Sequence, residues 1–129
     1  MNKDDLKLRT KSFALRVMAL LESLPKNREA DIVAKQILRS ATSVGANYRS
    51  ACRARLKADF VSKITIVEEE ADETLFWLEL IKERKMIPEN RLMELMKEAD
   101  ELVAIFVSSG KTVKSGMAKI KNQKSEIPN

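Results

Sequence analysis

Apolar positions recur every three or four residues through four successive blocks of the chain. In the first block Phe13, Val17, Leu20, Leu21 and Leu24 form one stripe, the signature of a helix that buries a single face. The pattern predicts helix one from about Asp4 to Leu24. Asp4 or Asp5 is placed to cap the free amides at its start, and Pro25 ends it. After the short connection PKNRE, helix two is predicted from about Glu29 to Arg55. With Lys35 set to zero and 100° per residue, Val33, Ile37, Ala41, Val44, Tyr48, Ala51 and Cys52 fall near 160–260°. On the same wheel Arg28, Lys35, Arg39, Arg49, Arg53 and Lys57 lie within about 40° of zero, if the helix is unbroken. One face is therefore apolar and the other a basic stripe. Gly45 sits among small residues in SATSVGAN and costs about 1 kcal/mol of helix stability relative to alanine. Either close approach of a neighbouring helix or a kink would account for it.

ARLKAD reads as a brief break, although it has neither Gly nor Pro, so a longer helix two is the alternative. Helix three is predicted from about Ala58 to Lys85. Phe60, Ile64, Val67, Ala71, Leu75 and Leu78 make its core face. Ile66, Glu70, Trp77 and Ile81 make a flanking strip, which we expect at a subunit interface because a helix with two apolar strips packs against more than one neighbour. MIP ends helix three, and Pro88 suits the first turn of helix four. Leu92, Leu95, Met96, Ala99, Leu102, Val103 and Phe106 give helix four its apolar face, with weaker periodicity continuing past Gly110 toward Met117. No stretch alternates like a strand. The expectation is all-α: an antiparallel up-down-up-down four-helix bundle over residues 1–118, followed by a disordered basic tail over 119–129. Its core should contain Phe13, Val17, Leu21, Ile37, Val44, Ile64, Val67, Leu75, Leu78, Leu95, Leu102 and Phe106.

Composition agrees with a helical domain. The 129 residues are 44% apolar and 33% charged, with only 3 Gly and 3 Pro, enough apolar material for a core and too much for a disordered chain. No apolar run is long enough for a bilayer. The first residues are interrupted by Asp4, Asp5 and Arg16 and read as a folded helix, not a signal peptide. Cys52 is the sole cysteine, so no internal disulfide can form, and a cytoplasmic protein is the expectation. The net charge is +5, unevenly spread. Residues 1–57 carry 13 Lys/Arg against 5 Asp/Glu, 58–107 carry 6 against 13, and 108–129 carry 5 against 1. Such segregation predicts a basic surface and basic-to-acidic contacts between helices or subunits.

The candidate chemistry is narrow. There is no histidine, which removes histidine-based triads and most zinc and iron sites. The acidic run Glu68, Glu69, Glu70, Asp72 and Glu73 lacks the Glu-x-x-His partners of a di-metal bundle and reads as a solvated or inter-subunit face. There is no glycine-rich phosphate loop. Cys52 falls on an apolar face, and Ser40, Thr42 and Ser43 lie mid-helix among small residues; packing is the reading for all four. No enzyme, cofactor or metal is expected. The basic stripe is the positive lead: cations at that spacing can track a phosphate backbone with little sequence preference. Tyr48 is on the apolar side and offers no stacking face. The competing reading is a solvated face, or one paired with the acidic helix three of a neighbour.

From Arg39 to Glu79 the chain reads RSATSVGANYRSACRARLKADFVSKITIVEEEADETLFWLE. This resembles the signature of bacterial four-helix-bundle proteins first met as open reading frames in intervening sequences of 23S ribosomal RNA genes. It departs mildly, with Ser50 where Glu and Leu56 where Ser would be expected. The resemblance implies an up-down bundle assembled as a ring, commonly a homopentamer. It extends to the basic accessory protein of diversity-generating retroelements, a pentameric barrel that binds nucleic acid and a reverse transcriptase. What carries over is a set of candidate contacts at the motif's basic positions: Arg39, Arg49, Arg53, Arg55 and Lys57. With Lys35 from the stripe, these are the expected nucleic-acid-binding residues of a homo-oligomer. The alternative is a scaffold for a protein partner such as a reverse transcriptase.

Overall fold

The computed structural model describes the backbone of residues 1–126 and the side chains of residues 1–118. The tail expected at 119–129 thus lies outside the fully described residues. Four helices make the fold: α1 (Lys3–Leu21), α2 (Arg28–Cys52), α3 (Lys57–Glu83) and α4 (Met93–Glu126), with a single 3-10 turn at Glu89–Arg91. No strand occurs among the described residues. α2 packs against both α1 and α3, α3 packs against α4, and α4 closes on α1 along a shorter seam. With short connections between successive helices, this order gives the up-down-up-down bundle.

The helix ends follow local chemistry, with two departures from expectation. Asn2, not Asp4 or Asp5, caps α1. Its side chain accepts from the Asp5 amide at 2.8 Å, while the Asp5 carboxylate accepts from the Asn2 amide at 3.2 Å, a reciprocal capping box. α1 also stops at Leu21, three residues short of the expected Leu24. Asn27 caps α2 by accepting from the Ala30 amide at 2.9 Å. α2 ends at Cys52 and α3 begins at Lys57, so the break is real and lies at Arg53–Leu56. At the end of α3, Lys85 takes φ 57°. The Met86 amide donates to Ile81 O and the Lys85 amide to Lys82 O, each at 3.0 Å. This is a Schellman closure with a lysine where glycine is ordinarily found.

The core runs the length of the bundle. Ten of the twelve expected core residues are buried, and Leu21 and Leu75 are half-buried at its edge. Tyr48 of α2 reaches across to Phe106 of α4, ring centroids 5.3 Å apart. Burial pushes the Tyr48 phenol above its ordinary pKa, with Cys52 beside it adding to the effect. Two buried hydroxyls meet between α2 and α3, where Thr74 Oγ1 donates to Ser40 Oγ at 2.8 Å. Among the described residues no buried side-chain polar atom lacks a partner. Gly45 lies in an unbroken α2, and a Cβ built there would sit 3.5 Å from the Thr10 carbonyl oxygen of α1. The kink is thereby excluded, and α1 lies against this turn of α2 at a distance where an added methyl would make an ordinary van der Waals contact.

An ion cluster crosses the α1–α4 seam. Arg9 grips Glu98 with Nε to Oε2 at 2.8 Å and Nη2 to Oε1 at 2.5 Å, and reaches Glu101 Oε2 at 2.7 Å. The hydrogen bonds from Arg9 hold the Glu98 carboxyl below the usual carboxylate pKa. A depressed folded-state pKa means that the unfolded chain binds the proton more readily, so this contribution is present above the unfolded value of 4.5 and is lost as pH falls through the lower folded value. Glu98→Gln should cost about 1–2 kcal/mol near neutral pH. In thermal melts from about pH 5 to about pH 3 its midpoint should fall less steeply than that of wild type. Lys85→Gly should raise stability by about 1 kcal/mol in urea unfolding, since glycine carries no Cβ penalty at positive φ.

Candidate nucleic-acid interface

The basic residues do not act as one stripe. Arg39 turns toward α3, where Nη1 lies 3.1 Å from Glu70 Oε2 and Nη2 contacts Glu73. Glu73 Oε2 also accepts from Trp77 Nε1 at 3.1 Å. The arginine is thereby committed within the chain, and so are two acidic residues of the run on α3. Lys57 is the first residue of α3 and not part of α2, so the wheel that assumed an unbroken helix placed it wrongly. Arg55 lies in the connection, exposed. Lys35 is exposed on α2, about 27 Å along the axis from Arg53.

Arg49 and Arg53 come together with two residues that the reading of helix two alone passed over, Lys7 and Lys11 of α1. The four surround a recess of about 400 Å³ between α1 and α2, lined also by Leu8, Ala14, Thr42, Gly45 and Ala46. Each pair is spaced i, i+4, so each pair lines one wall. Arg53 is the residue after α2, yet its backbone keeps φ −95° and ψ −2°, and its side chain continues the line from Arg49. The floor is small because Gly45 and Thr10 bring the two helices close. All four cations are exposed. None makes a side-chain hydrogen bond or ion pair among the described residues, whereas the arginines at 9, 39 and 84 are each engaged by one or two glutamates. The signal for Lys7 and Lys11 was their spacing beside the stripe of helix one. Joining them to Arg49 and Arg53 needs the register of α1 on α2, which Thr10 and Gly45 fix.

The strip expected at a subunit interface is corrected in part. Ile81 is fully buried in the core of the chain itself and has no surface to offer a partner. Glu70 is occupied by Arg39. Ile66 and Trp77 are half-buried, and Phe76, in edge-to-face contact with Trp77 at 5.0 Å, is the large apolar side chain that remains 49% exposed there. The acidic run does not converge on a metal: no group of three or more potential ligands occurs among the described residues. No helix there is long and apolar enough to cross a membrane.

Four antiparallel helices around one core, with an unpaired cationic groove on one side, define a four-helix-bundle protein with a basic face. The model of the 23S rRNA-intervening sequence protein family matches residues 4–108, and the chain belongs to that family. Among solved structures it is similar to a crystal structure of a protein with unknown function from the S23 ribosomal protein family, from Bacteroides thetaiotaomicron VPI-5482. The two are 34% identical with a TM-score of 0.78, over 86% of this chain and 99% of that one. No curated protein matches the chain.

Because Arg39 serves the α2–α3 seam, Arg39→Ala should lower the melting temperature modestly and leave any affinity for nucleic acid nearly unchanged. Parallel melts and binding titrations would show the opposite pattern if Arg39 contacted the ligand.

Proposed function

We propose that this protein is a non-enzymatic, cytoplasmic homo-oligomer, five copies in a ring by its resemblance, that binds structured RNA or DNA through the α1–α2 groove. The observation that carries the reading is the set of four exposed, unpaired cations from two helices around one recess. The arginines at 9, 39 and 84 are neutralised by carboxylates, and although Lys35 and Arg55 are also exposed without an ion pair, they do not line this recess. Unneutralised cations in a row release the counterions of a phosphate backbone. Copies in a ring add their contacts at high effective concentration, which makes a weak single grip sufficient.

A second reading is favoured by a different surface. The α3–α4 groove is lined by Leu75, Met93 and Met96 with Glu79, Glu94, Lys97 and Asp100 at its edge, three carboxylates against one cation, and lies across the bundle from the groove cations. A rim of net negative charge over adaptable methionines suits a basic protein partner, the scaffold alternative. Salt separates the two. Binding of labelled hairpin RNA and duplex DNA should fall with salt along a log–log line whose slope approaches about −3 to −4 per engaged chain. The variant Lys7→Glu/Lys11→Glu/Arg49→Glu/Arg53→Glu should abolish it while keeping helicity and sedimentation unchanged. Binding that survives this variant would place the ligand elsewhere.

A further inference from the structure

A phosphate grip can serve two kinds of nucleic acid. Binders of single strands join a cationic track to aromatic faces on which unpaired bases stack. Binders of double helices work against regular phosphate ridges and need no stacking face. The chain has six aromatic residues, and none lines the groove. Phe13, Tyr48 and Phe106 are buried in the core. Phe60 is half-buried, with Lys3 Nζ 5.8 Å from its ring centre. Phe76 and Trp77 stand on α3, which packs on α2 and α4. What the groove offers instead is a floor of Ala14, Gly45 and Ala46, with Leu8 exposed at the rim.

The cations are also spaced for a rigid ridge. Within each pair the four-residue step sets the backbone attachment points of the charged side chains about 6 Å apart along the helix. The two rows stand on neighbouring helices, whose axes pack about 8–10 Å apart. A double helix presents its phosphates in preset rows, so both walls can be engaged without ordering the ligand. A single strand would have to give up conformational freedom on docking and would find no ring to stack on.

We infer that the α1–α2 groove selects double-helical nucleic acid by its backbone and discriminates against unpaired strands. This rests on the proposed role of the groove as a phosphate surface. Duplex RNA and duplex DNA offer the same phosphate chemistry, and both belong in the test. The full chain would be titrated by fluorescence anisotropy with each duplex, about 24 base pairs long, and with oligouridine and oligoadenosine of equal length. The charge-reversed groove variant and Leu8→Trp would be run beside it. We expect at least one duplex to bind about tenfold or more tighter than either single strand at equal salt. The reversed variant should lose both. Leu8→Trp, a change at an exposed rim position, should narrow the gap by giving unpaired bases a face. Single strands that bind as tightly as the duplexes, and are lost in the reversed variant, overturn this inference and leave the proposed function standing. A gap unmoved by Leu8→Trp overturns the assignment of the preference to the missing stacking face. Binding absent from every probe, or retained by the reversed variant, overturns the proposed function itself.

Discussion

α1 meets α2 at Thr10 and Gly45, and that contact decides both the shape of the bundle and the shape of its groove. A glycine mid-helix is unfavourable on its own. Here it faces the Thr10 backbone of α1, which lies where an added Cβ would be in ordinary van der Waals contact. Thr10 can be fully buried at this point because its hydroxyl donates to the Leu6 carbonyl at 2.8 Å, so burial leaves no polar atom unsatisfied. On its opposite flank α2 uses the same device, with Ser40 and Thr74 sharing a hydrogen bond. Small, satisfied residues on both flanks allow one helix to touch two neighbours closely. They also leave a shallow, basic-walled recess at the surface above Gly45.

Charge then sorts into two populations. Some cations close the fold: Arg9 ties α1 to α4, Arg39 ties α2 to α3, and Arg84 ties the end of α3 to Glu29 at the start of α2. Exposed pairs of this kind contribute little each, but the Arg9 cluster is partly screened from solvent and crosses the seam where the helix backbones approach each other least. The uneven distribution of charge along the chain is thus partly an internal matter, since several carboxylates of the acidic stretch face arginines of the same molecule. The groove cations have no such counterpart. Their mutual repulsion is a standing cost to the folded chain that a bound polyanion would relieve.

Most of the fold could be read from apolar spacing because a helix period of 3.6 maps the core directly onto sequence. Phe13, Ile37, Val67, Leu78 and Phe106 were placed correctly on that basis. Ile81 was not: its strip lies on the side of α3 that turns into α2, and a flanking strip looks the same in sequence whether its partner is another helix of the chain or another subunit. The helix ends depended on atoms the pattern does not carry. Asn2 outcompeted Asp4 because its carbonyl reaches the Asp5 amide, and the break after Cys52 needed no glycine because an ordinary αR residue, Arg53, serves as the cap. Half of the groove was legible, Arg49 and Arg53, and half was not. A helical wheel sees one helix at a time, and a site built across a seam depends on how two helices slide against each other.

Arg39 illustrates the same limit from the other side. By spacing it belongs with Arg49 and Arg53, a turn or more along one face. By reach it belongs to α3, because a long flexible side chain beside a neighbouring helix bends toward carboxylates that have already been brought near by apolar packing. Ion pairing within the chain therefore acts as a filter on the basic stripe. It removes the cation that lies over the acidic helix and spares those that lie over α1, where the facing residues are Lys7 and Lys11. The surface left to meet a partner is narrower than the stripe in the sequence, and it is more concentrated, since one recess collects charge from two helices that pattern reading treats separately.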